Sequence, residues 1–270
     1  MSARNAGHRS EALVLDWGIG GFGVVREIVR LRPETSLTYL SDSGSVPYGK
    51  LPTKELGARL TRIFAWANER HLSHVVVACN AASAALPMAR IPEGVVVTDV
   101  IGAGVELVRE SGVREVGLLG GKGTVRTGAH RRRLSGITVT ARVAQPLSAL
   151  VEAGELDTPR VHREVETIVA KLRSLEVVLL ACTHYPALLP VFRAVLPHVT
   201  FLDPATRVAE RVVDALSERT PTPTRNGTSA RADKTRLEVF TTGDPSATRR
   251  AAERAFGVAT GEVAKVSLSS

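Results

Sequence analysis

The chain of 270 residues contains only two cysteines, and they lie in matching settings. Cys79 ends the run Val75-Val76-Val77-Ala78 and is followed by Asn80. Cys182 ends the run Val178-Leu179-Leu180-Ala181 and is followed by Thr183 and His184. A thiolate is a competent base and a thiol a competent acid. One sulfur on each side of a carbon can take a proton from one face and return another to the opposite face, which inverts the centre. Asp16, at the end of the first apolar run, and His184, two residues past Cys182, are placed to pass a proton to a thiol or tune it. Taken singly, a cysteine at a strand end is ordinarily a small buried hydrophobe; the paired setting is what argues for chemistry. His130, His162 and His198 have no comparable company. Two cysteines are too few for a cysteine-only metal site, which takes four ligands, so no metal is expected.

The elements that must position these residues are legible as short apolar runs. Residues 12–16, 36–40, 74–78, 95–98, 115–119, 177–181 and 200–202 read as buried parallel strands. Helical patterns alternate with them at 23–31, 54–69, 102–109 and 158–173, and Arg126 with Arg131, Arg132 and Arg133 falls on a further helix. Such alternation predicts α/β layers around parallel sheets, with ligands at the carboxyl ends of the strands. Beyond residue 217 the composition changes. Residues 220–234, rich in Thr, Pro, Arg and Ser, read as a flexible loop. Order is expected to resume with a strand at 237–241, a helix at 245–256 and a short strand near 263–266.

The chain also repeats itself. Leu13–Gly18 aligns with Gly117–Lys122, Val75–Asn80 with Val178–Thr183, and Val97–Asp99 with Phe201–Asp203, at offsets of 104, 103 and 104 residues. Three matches in one order at nearly one offset predict two similar α/β halves. A pseudo-twofold pairing of these halves brings equivalent strand ends, and hence the two cysteines, face to face across a cleft. The expected division is residues 12–100 with 205–270 as one domain and 101–204 as the other, after a disordered lead-in at 1–11.

Hydrophobic residues make up 44% of the chain, enough for a substantial core. No apolar run is long enough to span a membrane and the polar amino terminus lacks a secretory segment, so a cytoplasmic protein is expected. The net charge of +8 raises the question of a nucleic-acid partner, but with 4% aromatic residues there are few platforms for stacking bases, and no such partner is expected. Gly18-Ile19-Gly20-Gly21-Phe22-Gly23 does not complete a dinucleotide fingerprint.

Several motifs together resemble glutamate racemase, in the aspartate/glutamate racemase superfamily. They are Asp16 with Gly18-Ile19-Gly20-Gly21, Val46-Pro47-Tyr48-Gly49, Ala78-Cys79-Asn80 with Ala82-Ser83, Gly123-Thr124-Val125, Cys182-Thr183-His184-Tyr185-Pro186 and the tail Thr241-Thr242-Gly243-Asp244-Pro245. The resemblance runs from about residue 12 to 268, with 220–234 as an insert. It implies two pseudo-symmetric, Rossmann-like (flavodoxin-like) α/β domains with parallel sheets and the active site in the cleft between them. It implies a cofactor-independent isomerase with Cys79 and Cys182 as acid/base pair, assisted by Asp16 and His184. It further implies that Pro47, Tyr48, Gly49, Asn80, Thr124 and Thr183 help to hold a small amino-acid substrate. A homodimer supplying D-glutamate for cell-wall peptidoglycan is the expected setting.

Three positions depart from the pattern the chain resembles. Trp17 replaces a serine, Ala81 a threonine and Gly121 a threonine, each deleting a hydroxyl from a substrate-facing motif; Trp17 and Ala81 are therefore also expected at the substrate. A hydrogen bond to a charged group contributes on the order of 1.5–3 kcal/mol. Uncompensated, these losses would favour a sibling racemase, epimerase or isomerase with a larger or less polar substrate, or a degenerate binding protein without catalysis.

Overall fold

The computed structural model describes residues 11–219 and 236–268. The expected loop at 220–234 lies outside these residues, as does the expected lead-in apart from Glu11, whose backbone N–H donates to the Ser36 carbonyl. Ten strands are described: β1 (Ala12–Asp16), β2 (Leu37–Ser41), β3 (His74–Val77), β4 (Val96–Asp99), β5 (Glu115–Gly120), β6 (Thr138–Val143), β7 (Val177–Ala181), β8 (Thr200–Leu202), β9 (Leu237–Thr241) and β10 (Val263–Lys265). They form two sheets, ordered β10-β9-β2-β1-β3-β4 and β6-β5-β7-β8. Every pairing is parallel. With helices as the crossovers, the chain forms two parallel-sheet α/β domains.

The order β2-β1-β3-β4 in one sheet is reproduced as β6-β5-β7-β8 in the other, so the sequence repeat is a repeat of topology. β6 is the strand that the apolar runs do not reveal. It lies at a sheet edge and is half-exposed along most of its length, so Thr138-Val139-Thr140-Ala141-Arg142-Val143 carries no continuous apolar run. By contrast β1, β2, β3 and β7 are buried at every residue, which is why they read as near-unbroken apolar runs.

The helices expected at 23–31, 54–69, 102–109 and 245–256 form as Phe22–Leu31, Thr53–Glu69, Val100–Glu110 and Pro245–Phe256. Two expectations need correction. The helix expected over 158–173 ends at Val169 and tightens into a 3-10 turn, Ala170–Leu172. The segment with Arg126 and Arg131–Arg133 is two short helices, Lys122–Thr127 and Ala129–Arg133, because Gly128 between them adopts a left-handed conformation with φ of 64°. Helix starts follow side-chain chemistry: Asp99, Thr158 and Asp244 accept from the N–H groups of Gly102, Val161 and Ala247.

One apolar cluster runs through both domains, joining Val14, Ile19, Phe22 and Tyr39 to Leu119, Leu147, Leu180 and Tyr185. This shared core is what fixes one sheet relative to the other. No described helix is long and apolar enough to cross a membrane.

His130 is 1% exposed, and neither ring nitrogen has a protein partner. Burial, and then the charge of Arg133, lower its pKa to about 4. The unfolded chain therefore binds a proton on this ring that the folded chain refuses between about pH 6.5 and 4. Its contribution is present at neutral pH and lost as the pH falls, by up to about 3 kcal/mol near pH 4. Urea unfolding at pH 7 and pH 5 is expected to show a smaller pH difference for His130→Leu than for the parent chain; equal differences would contradict this account.

Candidate functional site

Each sheet reverses its strand order beside its first strand, at β1/β3 in one and β5/β7 in the other, and such switch points are where open α/β sheets bind ligands. Asp16 ends β1 and Cys79 follows β3 by two residues. In the second sheet Gly120 and Gly121 end and follow β5, and Cys182 directly follows β7. Equivalent positions of the repeat thus deliver one cysteine each. Both are free and half-buried. They lie close enough that charge on Cys182 raises the pKa of Cys79.

Cys79 sits at the start of the helix Asn80–Ala85. Its thiol is pushed well above the usual range, first by burial and then by the Asp16 carboxylate, against the opposing pull of the Ala82 and Ala81 backbone N–H groups. Asp16 is 1% exposed. One of its oxygens accepts from the Trp17 backbone N–H at 2.6 Å and the other from the Thr183 hydroxyl at 2.7 Å, so it bridges the two domains.

Cys182 has a different companion. Its Sγ lies 3.7 Å from His184 Nδ1, and His184 Nε2 lies 2.6 Å from Glu152 Oε1. Burial lowers the His184 pKa, but the hydrogen bonds and charges of Cys182 and Glu152 outweigh it and hold the ring well above its ordinary value. Burial likewise raises Glu152, and the bonds from His184 and the Ile19 N–H overcome it, leaving the carboxyl below its ordinary value. The same Glu152 oxygen accepts from Ile19 N–H at 3.0 Å, making a second bridge between the domains. Glu152 closes the helix Gln145–Glu152, and no motif points to it; only the fold places it here.

The glycine turn after β1 is what lets the domains meet. A Cβ on Gly18 would collide with the Glu152 carboxylate, and one on Gly20 with the Thr183 side chain. A second close approach of the two domains lies where a Cβ on Gly123 would stand 2.9 Å from the Gly49 carbonyl oxygen. Pro47, Tyr48 and Gly49 form and precede the 3-10 turn Tyr48–Lys50. This turn is anchored by Asp42, which the sequence reading misses. Asp42 accepts from the Tyr48 hydroxyl at 2.7 Å, from Thr242 at 2.8 Å and, in a two-point pair, from Arg59 at 2.9 and 2.6 Å.

The remaining expected residues take distinct places. Asn80 is 3% exposed and both ends of its side-chain amide lack a protein partner. Thr124 is buried on the helix Lys122–Thr127. Ala81 is half-buried beside Cys79. Trp17 packs at the margin of the cluster containing Leu15, Tyr48 and Leu56, and its indole N–H donates to the Ser45 carbonyl at 3.1 Å. That donor is therefore committed within the protein. At Gly121 the Gln145 Oε1 lies 3.1 Å from the position a Cβ would take, while accepting from the Lys122 N–H at 2.9 Å. Among the described residues no group of three or more His, Cys, Asp or Glu is arranged to hold a metal ion.

Two parallel-sheet α/β domains with one free cysteine at each of two equivalent strand ends define the structural class of the chain. The chain belongs to the Asp/Glu/hydantoin racemase family, whose pattern it matches over residues 25–212. Among individual relatives it is similar to the glutamate racemase of Thermus thermophilus, at 36% identity over 94% of this chain and 95% of that one. It is similar also to that of Desulforudis audaxviator, at 32% identity over 90% and 93%. A crystal structure of a Thermus thermophilus glutamate racemase in complex with β-chloro-D-alanine superposes with a TM-score of 0.82 and 32% identity, covering 96% of this chain and 98% of that one.

The Glu152 bridge predicts a spectroscopic result. In a nuclear magnetic resonance titration of ring-labelled protein, His184 is expected to stay protonated above its ordinary range, and Glu152→Gln to move its midpoint downward. An unchanged midpoint in the variant would show that Glu152 does not hold the imidazolium.

Proposed function

We propose that this protein is a glutamate racemase, interconverting L- and D-glutamate by proton transfer at Cα between Cys79 and Cys182. The observation that carries the reading is the pair of free cysteines at equivalent strand ends of two matching sheets, close enough to feel each other's charge, in a chain of this family.

In one direction Cys182, beside the His184 imidazolium, takes the Cα proton: the C–H bond breaks, an S–H bond forms, and its electron pair remains on carbon. The Cys79 thiol, which burial and Asp16 hold in the protonated form, delivers its proton to the opposite face and becomes the thiolate. The two sulfurs then have exchanged protonation states, and the reverse direction begins from that arrangement. His184 with Glu152 on one side, and Asp16 on the other, help the thiols to reset. Asn80, with an unpaired buried amide, and Thr183, Thr124 and the Pro47-Tyr48-Gly49 turn are the assigned substrate contacts. The turn and the helix bearing Thr124 come from different domains, so holding the substrate draws them together and orients Cα between the sulfurs.

Glutamate is the assigned substrate despite the three missing hydroxyls, supported by the family and its relatives. Gln145 brings a polar atom to the corner at Gly121, and Trp17 has its only donor occupied by Ser45. A cytoplasmic role in supplying D-glutamate for peptidoglycan completes this reading. We also assign the protein a homodimeric state, supported by Met88, Ile91 and Val96, exposed at 55%, 42% and 43% near the open edge strand β4.

Incubation with L-glutamate in deuterated water is expected to yield D-glutamate carrying solvent deuterium at Cα. Cys79→Ala and Cys182→Ala are each expected to lower turnover by at least about a hundredfold, the scale of a lost general acid or base. Near-parental turnover in either variant would exclude the two-base assignment. Sedimentation equilibrium is expected to give twice the 28.8 kDa chain mass; a single-chain mass at micromolar concentration would refute the dimer.

A further inference from the structure

At the junction of the two domains lies a small cavity of about 10 Å³ lined by Gly20, Gly23, Asn80, Leu180, Thr183 and Asp203 among others. Its size is at the threshold for one water molecule, which requires a polar site with two to four partners. Such partners are present. Asn80 contributes an amide whose Nδ2 and Oδ1 are both buried and unpaired by protein. A side-chain amide offers two donors and two acceptor lone pairs, so leaving both ends unpaired in the interior is strongly unfavourable. Thr183 donates its hydroxyl hydrogen to Asp16 and keeps an oxygen lone pair. Asp203 follows β8 and uses one oxygen to accept from the Ala205 N–H at 3.0 Å, leaving the other free of that bond.

We propose that this cavity is a water site in which one ordered molecule, held by Asp203, bridges to the Asn80 side chain and fixes the orientation of the residue that follows Cys79. Asp203 is then a positioning residue: it acts on the substrate through the water and Asn80, without touching the reacting atoms. This rests on the racemase reading only for its kinetic consequence. The Asp203 position aligns in the repeat with Asp99, which caps its helix through the Gly102 N–H and pairs with Arg133 at 3.6 Å. Burial pushes the Asp203 carboxyl up to about 6, against the Ala205 N–H and the Arg26 charge, with Glu27 adding to the rise. A carboxyl in that condition is able to donate to the water or accept from it near neutral pH.

The test has a structural arm and a kinetic arm. A crystal structure of the parent protein at a resolution that shows ordered solvent is expected to place a water about 2.7–3.2 Å from the Asn80 amide and the Asp203 carboxyl. A dry cavity, or an Asn80 side chain turned away from it, would overturn the proposal. Kinetically, Asp203→Ser retains an acceptor for the Ala205 N–H but withdraws the carboxyl from the cavity. It is expected to raise KM for glutamate about tenfold while kcat stays within about twofold. Asp203→Asn, which still reaches the water, is expected to recover most of that loss. Equal KM values for parent and both variants, or a loss confined to kcat, would overturn the positioning role. If the parent protein does not racemise glutamate, the functional reading fails, while the structural arm still decides the water site.

Discussion

The arrangement depends on how closely two separate sheets approach at the turn after β1. Glu152 of one domain accepts both from the Ile19 backbone of the other and from His184, and Asp16 reaches across in the opposite sense to Thr183. These contacts exist only because Gly18 and Gly20 present no side chains at the point of approach. The role of these glycines in the structure is steric. They admit a carboxylate and a hydroxyl of the opposing domain where a nucleotide fingerprint would admit a phosphate. Partly buried charged groups tolerate this junction because each is satisfied on both sides.

Around this junction the two halves share topology without sharing electrostatics. The matching strand orders put Cys79 and Cys182 at equivalent switch points. Burial, and then the Asp16 carboxylate, push the Cys79 thiol up, whereas Cys182 lies beside an imidazole whose cationic form is favoured by Cys182 itself and Glu152. A reaction that takes a proton from one face and gives one to the other requires a base and an acid at the same moment. The repeat supplies two equivalent positions, and the groups placed beside them are unlike. The two domains also approach closely at Gly49 and Gly123, and Asp42 holds the turn bearing Gly49 through Tyr48, Arg59 and Thr242.

Much of this was present in the chain as a one-dimensional pattern. The runs that became β1, β3 and β7 are legible because strands covered on both faces must be continuously apolar, or nearly so. The repeat of 103–104 residues predicts two like halves and thereby a facing pair of cysteines. β6, hidden by its edge position and its Thr-rich sequence, was not legible, and only the structure shows it in the place equivalent to β2. Asp16, His184 and the residues flanking each cysteine could be named because they lie within a few positions of strand ends.

What the chain order could not supply is any partner brought in from a distance. Glu152 is 32 residues from His184 and sits at the end of an ordinary amphipathic helix. Asp42 gathers Arg59 and Thr242, the latter 200 residues away. The indole N–H of Trp17 goes to the Ser45 carbonyl, 28 residues away, and Gln145 stands in the corner at Gly121. Sequence determines which residues are capable of acid–base chemistry and which strand ends carry them, since those properties are local. Tertiary structure alone decides which charges face one another, because pKa and hydrogen-bond satisfaction depend on separation in space, which spacing along the chain does not encode.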